Sequence, residues 1–221
     1  MQQRCQTAGM HLTHLGHACL LVESAGQRVL IDPGTFSTDW HALTGLDAVL
    51  VTHQHPDHLD LDHLPALLAA NPDAQVLLEP AVAEKLERGR PLRTGESAEL
   101  GGGLSVEAVG GGHAVIHDDI PRIGNTGMLL RAEGEPTLLH PGDSYEAVPD
   151  GVDVLAVPLN APWCALKETI DFTRAVLPTT VVPIHDALLS ATGRELYLRQ
   201  LAAHGRASVL DLAGAGRSEI G

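Results

Sequence analysis

The sequence predicts an α/β fold, a four-layer αββα sandwich in which two similar halves pack sheet against sheet. Strand-like apolar runs are followed by helical patterns twice along the chain, and a glycine triplet, Gly101-Gly102-Gly103, lies near the change between the two series. Elements in this order bury their apolar faces when two sheets stack and helices cover the outer surfaces. No sequence repeat is visible, so the duplication is inferred from element order alone.

The first half opens with two β-rich segments. Leu12–Val22 and Arg28–Ile31 are apolar, and the Gly-containing turn between them predicts a hairpin that stops at Asp32-Pro33-Gly34. A buried-strand pattern over Leu46–Thr52 then leads directly into a group of histidines. A helix, a strand and a second helix are expected over Leu61–Ala70, Gln75–Glu79 and Ala81–Arg88.

The second half repeats this order after the glycine triplet. Its successive strands are expected over Leu104–Val109, Gly127–Ala132, Thr137–Leu139 and Val152–Val157. Helices and strands then alternate over Leu166–Leu177, Thr179–Ile184, Glu195–His204 and Ser208–Leu212.

The composition is that of one compact domain. Of the 221 residues, 44% are hydrophobic and 19% are charged, and no linker-like segment divides the chain, so we expect a single domain over residues 1–221 with a flexible tail at residues 1–9. No apolar run approaches the roughly 20 residues of a membrane span, and no secretory signal is visible. We therefore expect a cytoplasmic protein in which Cys5, Cys19 and Cys164 are reduced.

The charge of the chain excludes several classes of partner. There are 28 acidic and 14 basic residues, which gives a formal net charge of −14. Such a charge repels phosphate backbones and anionic membranes at long range. We expect a small-molecule substrate and neither a nucleic-acid nor a membrane partner.

The strongest chemical signal is the run His53-Gln54-His55-Pro56-Asp57-His58. It places three imidazoles and a carboxylate in one tight segment, and this is the ligand set of zinc, iron or manganese. On a loop, His53 and His55 can point toward one ion while Asp57 and His58 face a second. The run predicts a metal site at the end of a strand.

Further candidate ligands follow other predicted strands. His113 comes after three glycines, whose lack of side chains permits a close approach of the backbone to a metal. Asp143 and His185 each follow a predicted buried strand directly. His117 is an alternative to His113, which we prefer because it adjoins the glycines.

Across nearly its full length the chain resembles the metallo-β-lactamase superfamily in motif sequence, order and spacing. The resemblance rests on Asp32, the run from His53 to His58, His113, Asp143 and His185. It implies that His53, His55 and His113 bind one metal ion, that Asp57, His58 and His185 bind a second, and that Asp143 bridges both. It also implies that Asp32 supports the ligand loop without touching metal.

The resemblance implies a hydrolase with two divalent ions, for which zinc is preferred over manganese or iron. Two such ions hold a bridging hydroxide and polarise the scissile bond. Asp57 is the expected catalytic side chain, which orients the nucleophile or relays its proton. The bond attacked is an ester, lactone, amide or phosphodiester of a small molecule.

Differences between this chain and several branches of the superfamily limit the branches that it can resemble. His55 stands where flavodiiron reductases have Glu, Asp143 stands where zinc β-lactamases have Cys, and the segment between Asp143 and His185 is too short for the inserted domain of β-CASP nucleases. The segment from Leu15-Gly16-His17 to Asp32 is similar to the compact group that contains L-ascorbate-6-phosphate lactonase, N-acylphosphatidylethanolamine phospholipase D and small bacterial hydrolases. A homo-oligomer is compatible with this group.

The remaining histidines and several polar or aromatic residues have weaker links to the site. His17 is kept open as a participant, whereas the remaining histidines are expected on the surface or in loops: His11, His14, His41, His63, His140 and His204. Weak candidates for substrate contact are Asn125, Thr126, Asn160, Trp163 and Lys167. The alternatives to an enzyme acting on small molecules are a non-catalytic metal-binding sensor or scaffold and a nuclease.

Overall fold

The computed structural model describes residues 9–220, which form two seven-stranded sheets. The first sheet contains β1 (Met10–Gly16), β2 (Cys19–Ser24), β3 (Gln27–Ile31), β4 (Ala48–Val51), β5 (Gln75–Leu78) and β6 (Arg90–Pro91). The second sheet contains β7 (Ser97–Gly101), β8 (Leu104–Val109), β9 (Gly127–Arg131), β10 (Leu138–His140), β11 (Val154–Pro158), β12 (Thr180–Ile184) and β13 (Ser208–Val209). The last strand, β14 (Ser218–Ile220), returns to the first sheet and pairs with β1.

Helices lie on the outer face of each sheet. The first sheet is covered by α1 (Leu64–Ala70) and α2 (Pro80–Leu86), and the second by α3 (Leu166–Val176) and α4 (Ala191–His204). One apolar cluster fills the space between the sheets, and one more lies beneath each pair of helices. Three apolar layers separate four layers of elements, which confirms the αββα sandwich.

The two sheets share one pattern of strand directions. In each, antiparallel pairs come first along the chain and parallel pairs follow, from β3 through β6 and from β10 through β13. Parallel strands bring their carboxyl ends to one edge of a sheet. The loops after β4, β10 and β12 therefore meet at one end of the sandwich, and this is where the predicted ligands lie.

One predicted strand is wrong in its extent. Residues Leu12–Val22 form two antiparallel strands, β1 and β2, because the chain reverses at Gly16 and His17, whose φ values are 112° and 52°. A side chain at Gly16 would meet Ser37 Cβ at 2.9 Å, so glycine is required there by contact as well as by conformation. The reversal matters because it places His17 beside the predicted ligands.

Other differences concern short or polar elements. The glycine triplet does not precede the second sheet but forms the turn between β7 and β8 inside it. The strands β6, β7 and β14 have no apolar alternation strong enough to predict them. Helix α4 begins at Ala191, before the predicted Glu195, because the Ser190 hydroxyl accepts a hydrogen bond from Gly193 N–H and caps it.

Three further expectations from the sequence concern the N-terminal tail, the cysteines and membrane-spanning segments. The tail predicted at residues 1–9 lies, apart from Gly9, outside the described residues, as does Cys5. Cys19 and Cys164 are free thiols, as expected. Over residues 9–220 no helix is both long enough and apolar enough to cross a membrane.

Candidate metal centre

All seven predicted ligands converge where loops from the two sheets meet. The run from His53 to His58 follows β4 of the first sheet, whereas His113, Asp143 and His185 follow β8, β10 and β12 of the second. The site therefore lies across the interface between the sheets. It exists only when both halves are packed together.

Two groups of ligand atoms are formed. In the first, atoms of His53, His55, His113 and Asp143 all lie within 4.8 Å of one another. This group agrees with the set that the sequence assigned to the first ion.

The second group contains Asp57, His58 and His185, together with His17, again within 4.8 Å. His185 Nε2 lies 3.4 Å from Asp57 Oδ2. Asp143 also borders this group, since Asp143 Oδ1 lies 3.1 Å from His58 Nε2 and Asp143 Oδ2 lies 3.2 Å from His185 Nε2. The Asp143 carboxylate is thus positioned between the two groups, as a bridging ligand would be.

Four of the imidazoles are oriented by hydrogen bonds on the side facing away from the site. In each, Nδ1–H donates to a protein oxygen, which directs Nε2 toward the other predicted ligands. The acceptors are Thr52 Oγ1 for His53 (3.0 Å), Asp32 Oδ2 for His58 (2.7 Å), the Ala114 carbonyl for His113 (2.6 Å) and the Asn160 carbonyl for His185 (2.6 Å).

The atoms that face inward include several buried atoms with no hydrogen-bond partner among the described residues. These are Nε2 of His58, His113 and His185 and Oδ1 of Asp143. Unpaired buried polar atoms are costly and uncommon in folded proteins, so a cluster of them needs an explanation. Imidazole and carboxylate lone pairs converging on one space fit divalent metal ions in both number and chemistry.

The carboxylates and imidazoles of the site perturb each other's ionisation. Burial opposes the charge on Asp143, but the surrounding imidazoles outweigh it and hold the pKa of that carboxyl well below its usual range. Burial alone would lower the pKa of His185, but the carboxylates of Asp143 and Asp57 raise it to about 9. The negative charge is therefore retained at the position where cations would bind.

Asp32 supports the ligand loop without belonging to either group of ligand atoms, as expected from the sequence. It is fully buried and accepts hydrogen bonds from Thr52 N–H (2.8 Å), the Thr52 hydroxyl (2.7 Å) and His58 Nδ1–H (2.7 Å). One carboxylate thus fixes the start of the loop and the ring of a predicted ligand. Its own φ of 52° is unusual for a residue other than glycine.

His17 belongs to the site, but its bonding differs from that of the other imidazoles. Its Nδ1 accepts a hydrogen bond from Ala187 N–H (3.3 Å), so the proton of the neutral ring is on Nε2, which donates to Asp57 Oδ2 (3.1 Å). Burial lowers the pKa of His17 and favours this neutral form. The ring therefore presents a donor to Asp57 and holds that carboxylate in place.

The remaining histidines are only partly where the sequence placed them. His117 is exposed, pairs with Asp119 and lies outside the cluster, so His113 is the residue positioned at the site. The surface expectation is wrong for His11, His14 and His140, which are buried. His140 Nε2 donates to the Ala18 carbonyl (2.9 Å) and joins the second sheet to the first.

Of the weak substrate candidates, only Trp163 lines the cleft above the cluster. Its indole N–H donates to Asp143 Oδ2 at 2.9 Å. Asn125 instead fixes the Asp143 backbone, because its Oδ1 accepts from Asp143 N–H at 2.9 Å. Thr126 is buried, Asn160 contacts His185 through its backbone, and Lys167 is exposed on α3.

Known proteins are similar to this chain in sequence. The family model for the beta-lactamase superfamily domain matches residues 11–185. The Mycobacterium tuberculosis protein named Rv0786c is 46% identical over 194 residues, which cover 87% of this chain and 91% of that protein. A protein of Azorhizobium caulinodans named UPF0173 metal-dependent hydrolase is 32% identical over 80% of this chain and 85% of its own length.

Solved structures share the fold. Igni18, a metallo hydrolase of the archaeon Ignicoccus hospitalis, has a TM-score of 0.71 at 20% identity and covers 97% of this chain and 100% of its own. YhfI of Bacillus subtilis, a metallo-β-lactamase fold protein, has a TM-score of 0.72 at 15% identity and covers 97% and 98%. With the family match over residues 11–185, these similarities show that the chain belongs to the metallo-β-lactamase superfamily of metal-dependent hydrolases.

Proposed function

We propose that the chain is a dinuclear metal-dependent hydrolase of a small molecule. His53, His55 and His113 hold the first ion, Asp57, His58 and His185 hold the second, and Asp143 contributes to both. The observation that carries this proposal is the set of buried, unpartnered Nε2 and Oδ1 atoms that converge from both sheets on either side of Asp143.

When bound, two divalent ions supply Lewis acidity that generates a hydroxide nucleophile from water at neutral pH and polarises the scissile bond. The protein's own residues position the reacting groups. Asp57 is half-buried at the floor of the cleft, where it can accept the proton of the attacking water and orient its oxygen. His17 restrains Asp57 from behind through the Nε2–H donor.

Zinc is the proposed metal, with manganese and iron as the alternatives. Imidazole nitrogen dominates the ligand set, and no cysteine belongs to either group of ligand atoms in residues 9–220. Nitrogen-rich sites with carboxylates bind zinc well and also accept manganese and iron, so the choice between them depends on the supply of each metal. A cytoplasmic location and a homo-oligomer remain predictions.

The proposal is tested by two ligand variants and one matched control. His55→Ala and Asp143→Ala should lower kcat/KM by more than the roughly 10–100-fold typical of residues that only support a metal ligand. His117→Ala, which changes an exposed histidine outside the cluster, should leave kcat/KM within about twofold. Activity is measured on metal-loaded protein with ester, lactone, amide and phosphodiester substrates.

Two results would overturn the proposal in different ways. Unchanged turnover in His55→Ala and Asp143→Ala would show that the cluster is not the catalytic centre. Tight metal binding by the wild type without hydrolysis of any substrate in the panel would favour a sensor or scaffold on this fold. Salt-dependent cleavage of RNA or DNA would favour the nuclease alternative.

A further inference from the structure

The candidate metal centre opens into a cleft of about 430 Å³, which lies in the size range of small-molecule sites. Its polar lining residues are all predicted ligands: His55, Asp57, His113, Asp143 and His185. The other walls are apolar and consist of Phe36, Pro56, Ile116, Pro162, Trp163 and Leu188. None of the described residues that line the cleft is Lys, Arg, Ser, Thr, Tyr, Asn or Gln.

The cations nearest to these walls along the chain are engaged elsewhere. Arg122 donates to the His113 carbonyl, pairs with Glu146 at 3.4 Å and does not line the cleft. Arg194 pairs with Asp186 at 2.6 Å and with Asp211 at 2.7 Å. Lys167 is exposed and pairs with Glu168 at 3.3 Å. The protein thus presents no free cation to a substrate in this cleft, within the part of the chain that the structure describes.

The apolar wall is accessible to a ligand. Phe36 is 47% exposed and Leu188 is 55% exposed, and both lie at the cleft although large apolar side chains gain free energy by burial. Neighbouring apolar residues at a concave, functional position indicate a surface that is covered when a ligand binds. Trp163 adds a flat face beside Asp143, so the apolar wall begins directly at the predicted ligands.

We propose that the substrate is an uncharged carboxylic ester or lactone whose acyl group is apolar and packs against Phe36, Ile116, Trp163 and Leu188. This inference rests on the proposed hydrolytic function and narrows its substrate class. A phosphodiester is disfavoured, because charge in phosphoryl transfer is spread over several oxygens that are usually held by Arg, Lys or further donors. Ester hydrolysis develops negative charge on a single oxygen. Among the described residues, the lining of the cleft contains no Lys, Arg or hydroxyl group that could hold further charged oxygens.

The reaction balances without another reactant. The oxygen of water forms a new bond to the acyl carbon, and the bond from that carbon to the alcohol oxygen breaks. One proton of the water is transferred to the leaving oxygen, and the other is released when the resulting carboxylic acid ionises. The substrate is neutral, and its products are an alcohol and a carboxylate.

The test compares chain length and bond type on the metal-loaded protein. With p-nitrophenyl acetate, butanoate and hexanoate, kcat/KM should rise roughly three- to fourfold for each methylene that the wall buries. Bis(p-nitrophenyl) phosphate should be hydrolysed far more slowly than any of the three esters. Alkanoates from acetate to hexanoate should inhibit competitively with the same order of affinity, which gives a binding measurement independent of turnover.

A pair of exposed leucines provides the matched variants. Leu188→Asn should lower kcat/KM for the hexanoate about tenfold and lower it less for the acetate, because the longer chain buries more apolar surface against Leu188. Leu196→Asn changes a leucine that is 43% exposed on α4 and outside the cleft, and it should leave the chain-length dependence unchanged.

The outcomes separate this inference from the proposed function. Faster hydrolysis of the phosphodiester, or ester rates that do not depend on chain length in the wild type, would overturn the inference and leave the hydrolase intact. An equal effect of Leu188→Asn and Leu196→Asn would also overturn it. Metal-loaded protein that hydrolyses no substrate and binds no alkanoate would contradict both.

Discussion

At the scale of single residues, the site depends on hydrogen bonds that hold the ligands from outside. Four imidazoles are fixed through Nδ1, and Asp143 is fixed through its backbone by Asn125 and through Oδ2 by Trp163. Such outer contacts orient ligands before metal arrives, so less ordering remains to be done on binding. Of the side chains that make these outer contacts, Trp163 is the one that also lines the cleft.

Replacing Trp163 by Phe tests this outer contact. The variant keeps an aromatic ring but loses the N–H donor to Asp143, so we expect metal affinity to fall roughly 10–100-fold. Competition with a chromogenic chelator measures the affinity. Tyr145→Phe is the control, because Tyr145 packs beside Trp163 but its hydroxyl bonds to the Pro158 carbonyl and not to a predicted ligand. Equal metal affinity in Trp163→Phe and wild type would contradict the role assigned to the indole.

The predicted metal ligands are recognisable in the sequence. The residues that hold them in place are harder to recognise. A dense run such as His53 to His58 is visible because several metal-ligating side chains are adjacent in sequence. His17 reaches Asp57 from forty positions away, and its role depends on a backbone N–H of Ala187 that no sequence pattern reveals. His140 was misplaced on the surface because a buried histidine bonded to a carbonyl leaves no signal in composition.

At the scale of elements, the loop after β3 and the ligand loop after β4 pack backbone to backbone. A Cβ at Gly34 would lie 1.8 Å from the Asp57 carbonyl oxygen and 2.5 Å from His58 N, and nothing but glycine fits there. Thr35 N–H also donates to the Pro56 carbonyl at 2.8 Å. The turn that ends β3 therefore sets the position of two predicted ligands.

Gly34→Ala tests this packing. The added methyl group forces the ligand loop to move, so we expect a loss of metal affinity together with a decrease of about 1–3 kcal/mol in the free energy of unfolding. Gly193→Ala in α4 is the control, since its nearest contacts are at 3.4 Å or more and alanine favours the helix by up to about 1 kcal/mol. Unaltered metal affinity in Gly34→Ala would show that the two loops are not coupled.

Elements with strong apolar patterns were predicted and weak ones were missed. The strands β8, β9, β11 and β12 coincide with their predicted segments to within about two residues, because β8 alternates apolar and polar residues and the other three carry largely continuous apolar runs. Strand β14 has only three residues and forms by pairing with β1 across almost the whole sequence. Pairing between residues so far apart in the sequence is determined by the tertiary fold and leaves no local pattern.

At the scale of the whole molecule, the predicted ligands join the two sheets. Three follow strands of the second sheet and four follow β4 of the first, so bound ions would add to the packing and the hydrogen bonds that already join these loops. The order of strands and helices was enough to predict this architecture, although the halves share no visible repeat. That residues 1–221 form a single domain stays a prediction.

Removal of metal should therefore destabilise the whole fold. An ion at 100 times its dissociation constant stabilises the native state by about 2.7 kcal/mol per site, so for two sites we expect a chelator to lower Tm by roughly 10–20 °C. Differential scanning calorimetry with and without chelator measures the change, and excess zinc should restore it. His55→Ala should respond less to chelator than wild type. Identical Tm values for the wild type in both conditions would contradict a metal link between the sheets.

Elemental analysis by plasma mass spectrometry determines whether the chain holds a dinuclear metal centre. Wild type, His55→Ala and His117→Ala are purified without added metal and compared. We expect close to two equivalents of zinc, manganese or iron per chain in wild type and His117→Ala, with a clear loss in His55→Ala. Absence of metal from all three, with none taken up on reconstitution, would contradict the metal centre and the hydrolytic mechanism built on it.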